Sequence, residues 1–148
     1  METNEPRPFK HLLVPTDFGE SSERAVALAV DLATRYGAAL TLLHTCEVPV
    51  TPYAGAYGAA MDFLTPVRAA AQARLDQALA ELRTRFPKAD GILCVGSPWQ
   101  EIEQRIAATH ADLVVMGTHG RRGVNRMLLG SVAEKIVRTS TVPVLTVH

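Results

Sequence analysis

Five short apolar runs alternate along the chain with stretches whose apolar residues recur every three or four positions. The runs have the two-sided hydrophobicity of buried parallel strands, and the stretches have the one-sided pattern of amphipathic helices. Phe9 to Val14 is the first run and stops at Pro15-Thr16-Asp17. Gly19-Glu20-Ser21-Ser22 then opens a helix whose apolar face is Ala25, Leu28, Ala29, Leu32, Ala33 and Tyr36, and Gly37 closes it. Ala38 to Thr45 is the second run. Cys46 to Met61, with its prolines, glycines and small residues, predicts a long irregular loop. A helix follows over Asp62 to Phe86, with Thr65 and Pro66 as a candidate cap and first-turn proline and Pro87 as its stop. Gly91 to Val95 is the third run. Ser97-Pro98-Trp99-Gln100 has the spacing of a capping box, and Trp99, Ile102 and Ile106 line one face of the helix it starts. Asp112 to Met116 is the fourth run. The last helix spans Gly130 or Ser131 to Thr139 and buries Val132, Ala133, Ile136 and Val137, and Val142 to Val147 is the fifth run.

Strands that alternate with helices predict right-handed crossovers and a parallel sheet covered on both faces, an α/β/α sandwich of Rossmann-like type. In such sheets ligands bind beyond the carboxyl ends of the strands, where the winding direction reverses. Two strand exits carry unusual chemistry here: Pro15-Thr16-Asp17 after the first strand and Gly117 to Gly120 after the fourth. They meet only if those strands are neighbours, as they are in the order 3-2-1-4-5. The hydrophobic pattern alone does not select that order.

The stretch from Val114 to Ser131 reads as a strand, a glycine-punctuated loop and a helix start. A helix N-terminus offers unbonded backbone amides and the positive end of the dipole to an anion. Gly117 removes a side chain where a ligand could lie on the strand end. Gly120 is suited to φ > 0 with its amide toward a phosphate, and Gly130 lets the helix start come close. Ser131 adds a hydroxyl, Arg121, Arg122 and Arg126 add positive charge, and His119 lies within the loop. A glycine-rich turn without a ligand is the plainer reading of the same residues.

Composition narrows the partners. At 148 residues the chain predicts a single domain over residues 1–148, with residues 1–8 as a loose arm. Lys+Arg and Asp+Glu are both 15, so the formal net charge is +0, which argues against a general binder of nucleic acid or anionic membrane. The N-terminal ten residues do not have a signal-peptide pattern, and no apolar run approaches the ~20 residues of a membrane-spanning helix. Cys46 and Cys94 form no CxxC and no zinc-type cluster, and both read as buried thiols of a cytoplasmic protein. The apolar fifth strand lies at a sheet edge, which favours covering Val142 to Val147 with the same strand of a second copy.

The spacing Gly-x2-Gly-x9-Gly-Ser at 117–131 resembles the nucleotide-binding signature of the universal stress protein family. The resemblance extends over nearly the whole chain: Leu-Leu-Val-Pro-Thr-Asp-Phe at 12–18, Leu-Leu-His-Thr at 42–45, Val-Gly-Ser-Pro at 95–98, Asp-Leu-Val-Val-Met-Gly-Thr-His-Gly at 112–120 and Pro-Val-Leu-Thr-Val at 143–147. It implies the adenine nucleotide alpha hydrolase-like fold, a five-stranded parallel sheet in the order 3-2-1-4-5, and dimerisation through the last strand. It also implies a site for ATP, with Mg2+ carried by the nucleotide. In that site Asp17 binds ribose hydroxyls, Pro15 and Thr16 shape the pocket, and the backbone of Thr45 reads the adenine edge. Met116 packs on the nucleotide, Gly117 touches the ribose, and Gly120, Gly130, Ser131 and the Val132 amide hold phosphates. His119 and Arg121 are further candidates for phosphate contact. The chain departs from the pattern at Gly19, where relatives commonly have a serine cap, and at Thr45, where many have an apolar residue.

Enzymatic signatures are sparse. The chain has no Gly-x4-Gly-Lys-Ser/Thr, no Gly-x-Gly-x-x-Gly and no Ser-Gly-Gly-x-Asp-Ser loop. No acid stands out as a base for a γ-phosphate, so slow hydrolysis at most is expected. The expected function is a nucleotide-dependent regulatory module of the stress response. The alternative is a nucleotide-free dimeric interaction protein of the same fold. His44 reads as a hydrogen-bonded core histidine and Asp17, taken alone, as an Asx-turn residue.

Overall fold

The computed structural model describes residues 8–47, 57–119 and 129–148. The elements alternate throughout: β1 (His11–Pro15), α1 (Glu20–Tyr36), β2 (Ala39–Cys46), α2 (Tyr57–Arg85), β3 (Asp90–Val95), α3 (Pro98–Thr109), β4 (Leu113–Gly117), α4 (Ser131–Thr139) and β5 (Val144–Val147). The five strands form one sheet in the order β3-β2-β1-β4-β5. Every neighbouring pair is parallel. The order reverses between β1 and β4, which places the switch point where the sequence pattern allowed it.

Alternation of side chains along each strand divides the core into two layers. Leu12, Val14, Leu40, Leu42 and Val115 face α1 and α2. Leu13, Leu43, Val114 and Met116 face α3 and α4. The helix α1 packs through small residues, because Ser21, Ser22, Ala25, Ala29 and Ala33 are its buried positions. Leu28 and Leu32 are only half-buried and Tyr36 is exposed, its ring meeting Phe9 edge-on at 5.6 Å. Small inner residues bring the helix axis close to the sheet, and this closeness shapes the site described below.

Several boundaries differ from the hydrophobic pattern. Cys46 belongs to β2, and α2 begins at Tyr57 rather than Asp62, so the long loop expected over Cys46 to Met61 is shortened at both ends. The helix runs through Pro66, which is interior rather than first-turn. Proline removes the amide that would bond the carbonyl four residues back and sets its ring against that carbonyl, and the alanine- and arginine-rich remainder outweighs that loss. At α3, Ser97 is the N-cap and Pro98 follows it, but the serine side chain makes no capping bond. In α4 Ala133 and Ile136 are buried, Val132 is half-buried, and Val137 is 49% exposed, because a nine-residue helix presents too narrow a face to cover all four.

Candidate functional site

The turn after β1 is built from side chains. The Asp17 carboxylate accepts through Oδ1 from the Gly19 amide and from the Ser22 hydroxyl, both at 2.8 Å. The Asp17 amide donates to Ser22 Oγ at 3.3 Å. The buried Thr16 hydroxyl accepts the Phe18 amide at 3.0 Å, which holds Phe18 at a φ of 62. The Asx-turn expected of Asp17 is thus present, and it occupies one carboxylate oxygen. Oδ2 takes no hydrogen bond among the described residues. Thr16 continues into β2 territory: its amide donates to the Leu43 carbonyl at 2.8 Å, and its carbonyl lies 2.8 Å from His44 Nδ1. His44 is therefore a half-buried, hydrogen-bonded histidine, with the Phe18 ring 4.4 Å away and the Arg74 guanidinium 4.7 Å above Phe18.

The exit of β4 is built differently. Gly117 ends the strand beside the first turn of α1. A Cβ at Gly117 would meet Ser21 Oγ, and would lie 2.7 Å from the Ser21 carbonyl carbon and 2.8 Å from the Ser22 amide. The glycine is thus required by α1, which occupies the space a side chain would need. Buried Thr118 comes next, and its amide and hydroxyl both donate to the Val147 carbonyl, at 2.9 and 3.2 Å. The same hydroxyl lies 2.8 Å from His119 Nδ1 and 3.4 Å from His148 Nδ1. The Thr118 carbonyl accepts the Gly130 amide at 2.6 Å, which pins the two ends of the glycine loop together. Ser21 Oγ donates to the His119 carbonyl at 2.8 Å and receives the His119 amide at 3.4 Å.

Gly130 is the N-cap of α4, with φ −60 and ψ 158, a backbone conformation open to any residue. Its role as a glycine is therefore not one of backbone freedom. The first-turn amides of α4, at Ser131, Val132 and Ala133, have no acceptor among the described residues. Those amides and the positive end of the α4 dipole stand at the same carboxyl end of the sheet as Asp17.

The remaining candidates fall as follows. Pro15 pairs with Leu43, and half-buried Thr45 pairs with Cys94 at the adjoining strand end. Met116 is buried at 5% among Leu13, Ile102 and Ile136. Gly120 and Arg121, with Arg122 and Arg126, lie outside the described residues. Both cysteines are buried free thiols, and burial, helped by a hydrogen bond with Glu101, pushes the Cys94 thiol up from its ordinary range. Among the described residues no group of three His, Cys, Asp or Glu could hold a metal ion, and no helix is long and apolar enough to cross a membrane. Sequence reasoning had not singled out Ser21, Ser22 or Thr118 for the site. The signal available was weak: two adjacent serines on the apolar side of a helix, and a threonine directly after a buried strand.

The sheet order and the edge just described define a doubly wound α/β protein whose open strand ends lie at a topological switch point. The profile of the universal stress protein family matches residues 8–148, and the chain belongs to that family. It is 34% identical over 146 residues to a universal stress protein of Thermus aquaticus, covering 95% of this chain and 99% of the other. It is similar to the protein MJ0577 of Methanocaldococcus jannaschii, whose solved structure superposes with a TM-score of 0.78 at 26% identity over 95% of this chain and 96% of that one. The universal stress protein UspA from Lactobacillus plantarum shares the fold with a TM-score of 0.84 at 23% identity, over 97% and 100% of the two chains. Two structures of the same fold were solved with nucleotides: a universal stress protein in complex with cAMP (TM-score 0.63, 23% identity, 95% and 98% covered) and the Archaeoglobus fulgidus protein in complex with dAMP (TM-score 0.65, 19% identity, 95% and 99% covered).

Proposed function

We propose that this chain is an ATP-binding universal stress protein, a cytoplasmic regulatory module whose partner binding responds to nucleotide, with slow hydrolysis at most. One observation carries the reading. Among the described residues the Asp17 carboxylate has no partner on Oδ2, and α4 begins with unbonded amides at the same carboxyl end of the sheet. A carboxylate oxygen suits the hydroxyls of a ribose, and a helix start suits phosphate. In this reading Asp17 binds the sugar with Pro15 and Thr16 behind it, and the Thr45 backbone meets the adenine edge. Met116 and Gly117 support the nucleotide, and Gly120, Gly130, Ser131 and the Val132 amide hold the phosphates, with His119 and Arg121 beside them. Mg2+ arrives on the nucleotide. The cAMP and dAMP complexes of other proteins of this fold support an adenine nucleotide as the ligand class.

Mass spectrometry of small molecules released on denaturing freshly purified protein tests this directly. The expected result is ATP or a breakdown product of it, and calorimetry should then give saturable ATP binding. A chain that releases no nucleotide and shows no thermal shift with millimolar ATP would instead be a nucleotide-free dimeric interaction protein. The exposed apolar side chains Val137 and Leu145, at 49% and 36%, favour pairing of Val142 to Val147 with a second copy in either case. Sedimentation at micromolar concentration should give a dimer, and a monomer there would count against that pairing.

A further inference from the structure

We propose that Ser21 and Ser22 are positioning residues that divide the nucleotide site between them, Ser22 presetting the sugar carboxylate and Ser21 the entry to the phosphate loop. The inference rests on the reading that this edge binds an adenine nucleotide. Both serines are buried, at 7% and 5%, on the face of α1 that continues with Ala25, Ala29 and Ala33. Packing alone would be served there by alanine, and a hydroxyl taken from water is costly unless it is bonded. Neither serine caps the helix, because the N-cap is Gly19. Their hydroxyls reach instead to the two strand exits on either side of the switch point.

Ser22 donates to Asp17 Oδ1 and accepts the Asp17 amide, so it ties the carboxylate to its own main chain, and the Gly19 amide is the second donor on Oδ1. Two donors on Oδ1 leave Oδ2 as the acceptor for vicinal ribose hydroxyls. Ser21 donates to the His119 carbonyl and accepts the His119 amide, fixing the main chain where the glycine loop leaves β4. Gly117 makes this possible, since a side chain there would collide with Ser21. One turn of one helix thus sets the relative placement of sugar and phosphate contacts. It also predicts a preference for ribonucleotides over nucleotides that lack the sugar hydroxyls.

Calorimetric titration of the full chain with ATP, 2′,3′-dideoxy-ATP and adenosine tests the division of labour, with melting temperatures recorded for each variant. Ser22→Ala should weaken ATP by about tenfold and bring the ATP to dideoxy-ATP affinity ratio close to one. Ser21→Ala should weaken ATP and dideoxy-ATP by the same factor while adenosine is bound as in the wild type. Should an alanine variant fail to fold, Ser22→Cys and Ser21→Cys fill the space with a slightly larger, weakly hydrogen-bonding thiol and carry the same comparison. A Ser22 variant that keeps the wild-type ATP to dideoxy-ATP ratio overturns the assignment while nucleotide binding itself stands. A wild-type chain that binds none of the three probes overturns the site reading and this inference with it.

Discussion

The two strand exits at the switch point do similar work with different shares of side chain and main chain. The turn after β1 is fastened by side chains: Thr16 to the Phe18 amide, and Asp17 to Gly19 and Ser22. The exit of β4 adds main-chain bonds, with Thr118 linked to Val147 on one side and to Gly130 on the other, to the hydroxyl bonds of Thr118 and Ser21. Side-chain fastening specifies chemistry, because each hydroxyl or carboxylate can be replaced and is then missing. Main-chain fastening tolerates most side chains but demands space, as at Gly117. The first exit should therefore respond to changes of polarity and the second to changes of bulk.

The sharpest way to break that contrast is Gly117→Ala. The added carbon meets Ser21 Oγ and backbone atoms of Ser21 and Ser22, so a loss of about 3 kcal/mol is expected in urea unfolding. Asp17→Ala should cost about 2 kcal/mol, because the Gly19 amide and the buried Ser22 hydroxyl lose their acceptor, and under the proposed function it should also abolish ATP binding in calorimetry. Thr118→Val keeps the shape and the main-chain bonds, and loses only the hydroxyl bond to Val147 with its histidine contacts. About 1 kcal/mol is expected by thermal melting. Gly130→Ala should change stability least, about 0.5 kcal/mol, since its backbone conformation is ordinary and it supplies no side-chain cap. If Gly130→Ala nevertheless abolishes ATP binding while melting near the wild type, the glycine is there for the ligand.

The order of elements was legible because each strand is a short apolar run and each helix has punctuation at its ends, as Gly37 and Pro98 show. Gly37 is the C-cap of α1 at a φ of 63, a position where its lack of a side chain matters. The neighbourhood of β1 and β4 came from family resemblance, since strand order leaves little trace in periodicity. The start of α2 was hidden because Tyr57 to Met61 reads with the glycine-, proline- and small-residue-rich stretch before it, and Pro66, a candidate first-turn residue, lies inside the helix. On α1 the expected Ala25, Ala29 and Ala33 are buried, while Leu28 and Leu32 are half-buried and Tyr36 is exposed, and Ser21 and Ser22 complete the inner face because close approach to β4 selects small residues. In the site, Asp17 and the glycines announce themselves through their types and spacing. Ser21, Ser22 and Thr118 do not, because small hydroxyl residues near helix starts and strand ends look like ordinary caps until their partners, His119, Asp17 and Val147, are seen.

The Val147 carbonyl receives two donors from Thr118, while Thr118 in turn receives Gly130. The margin of the sheet and both ends of the glycine loop therefore meet at one residue, Thr118. A clamp laid along the outer border of β5 would bear on Thr118 and Gly130 through Val147 without touching either.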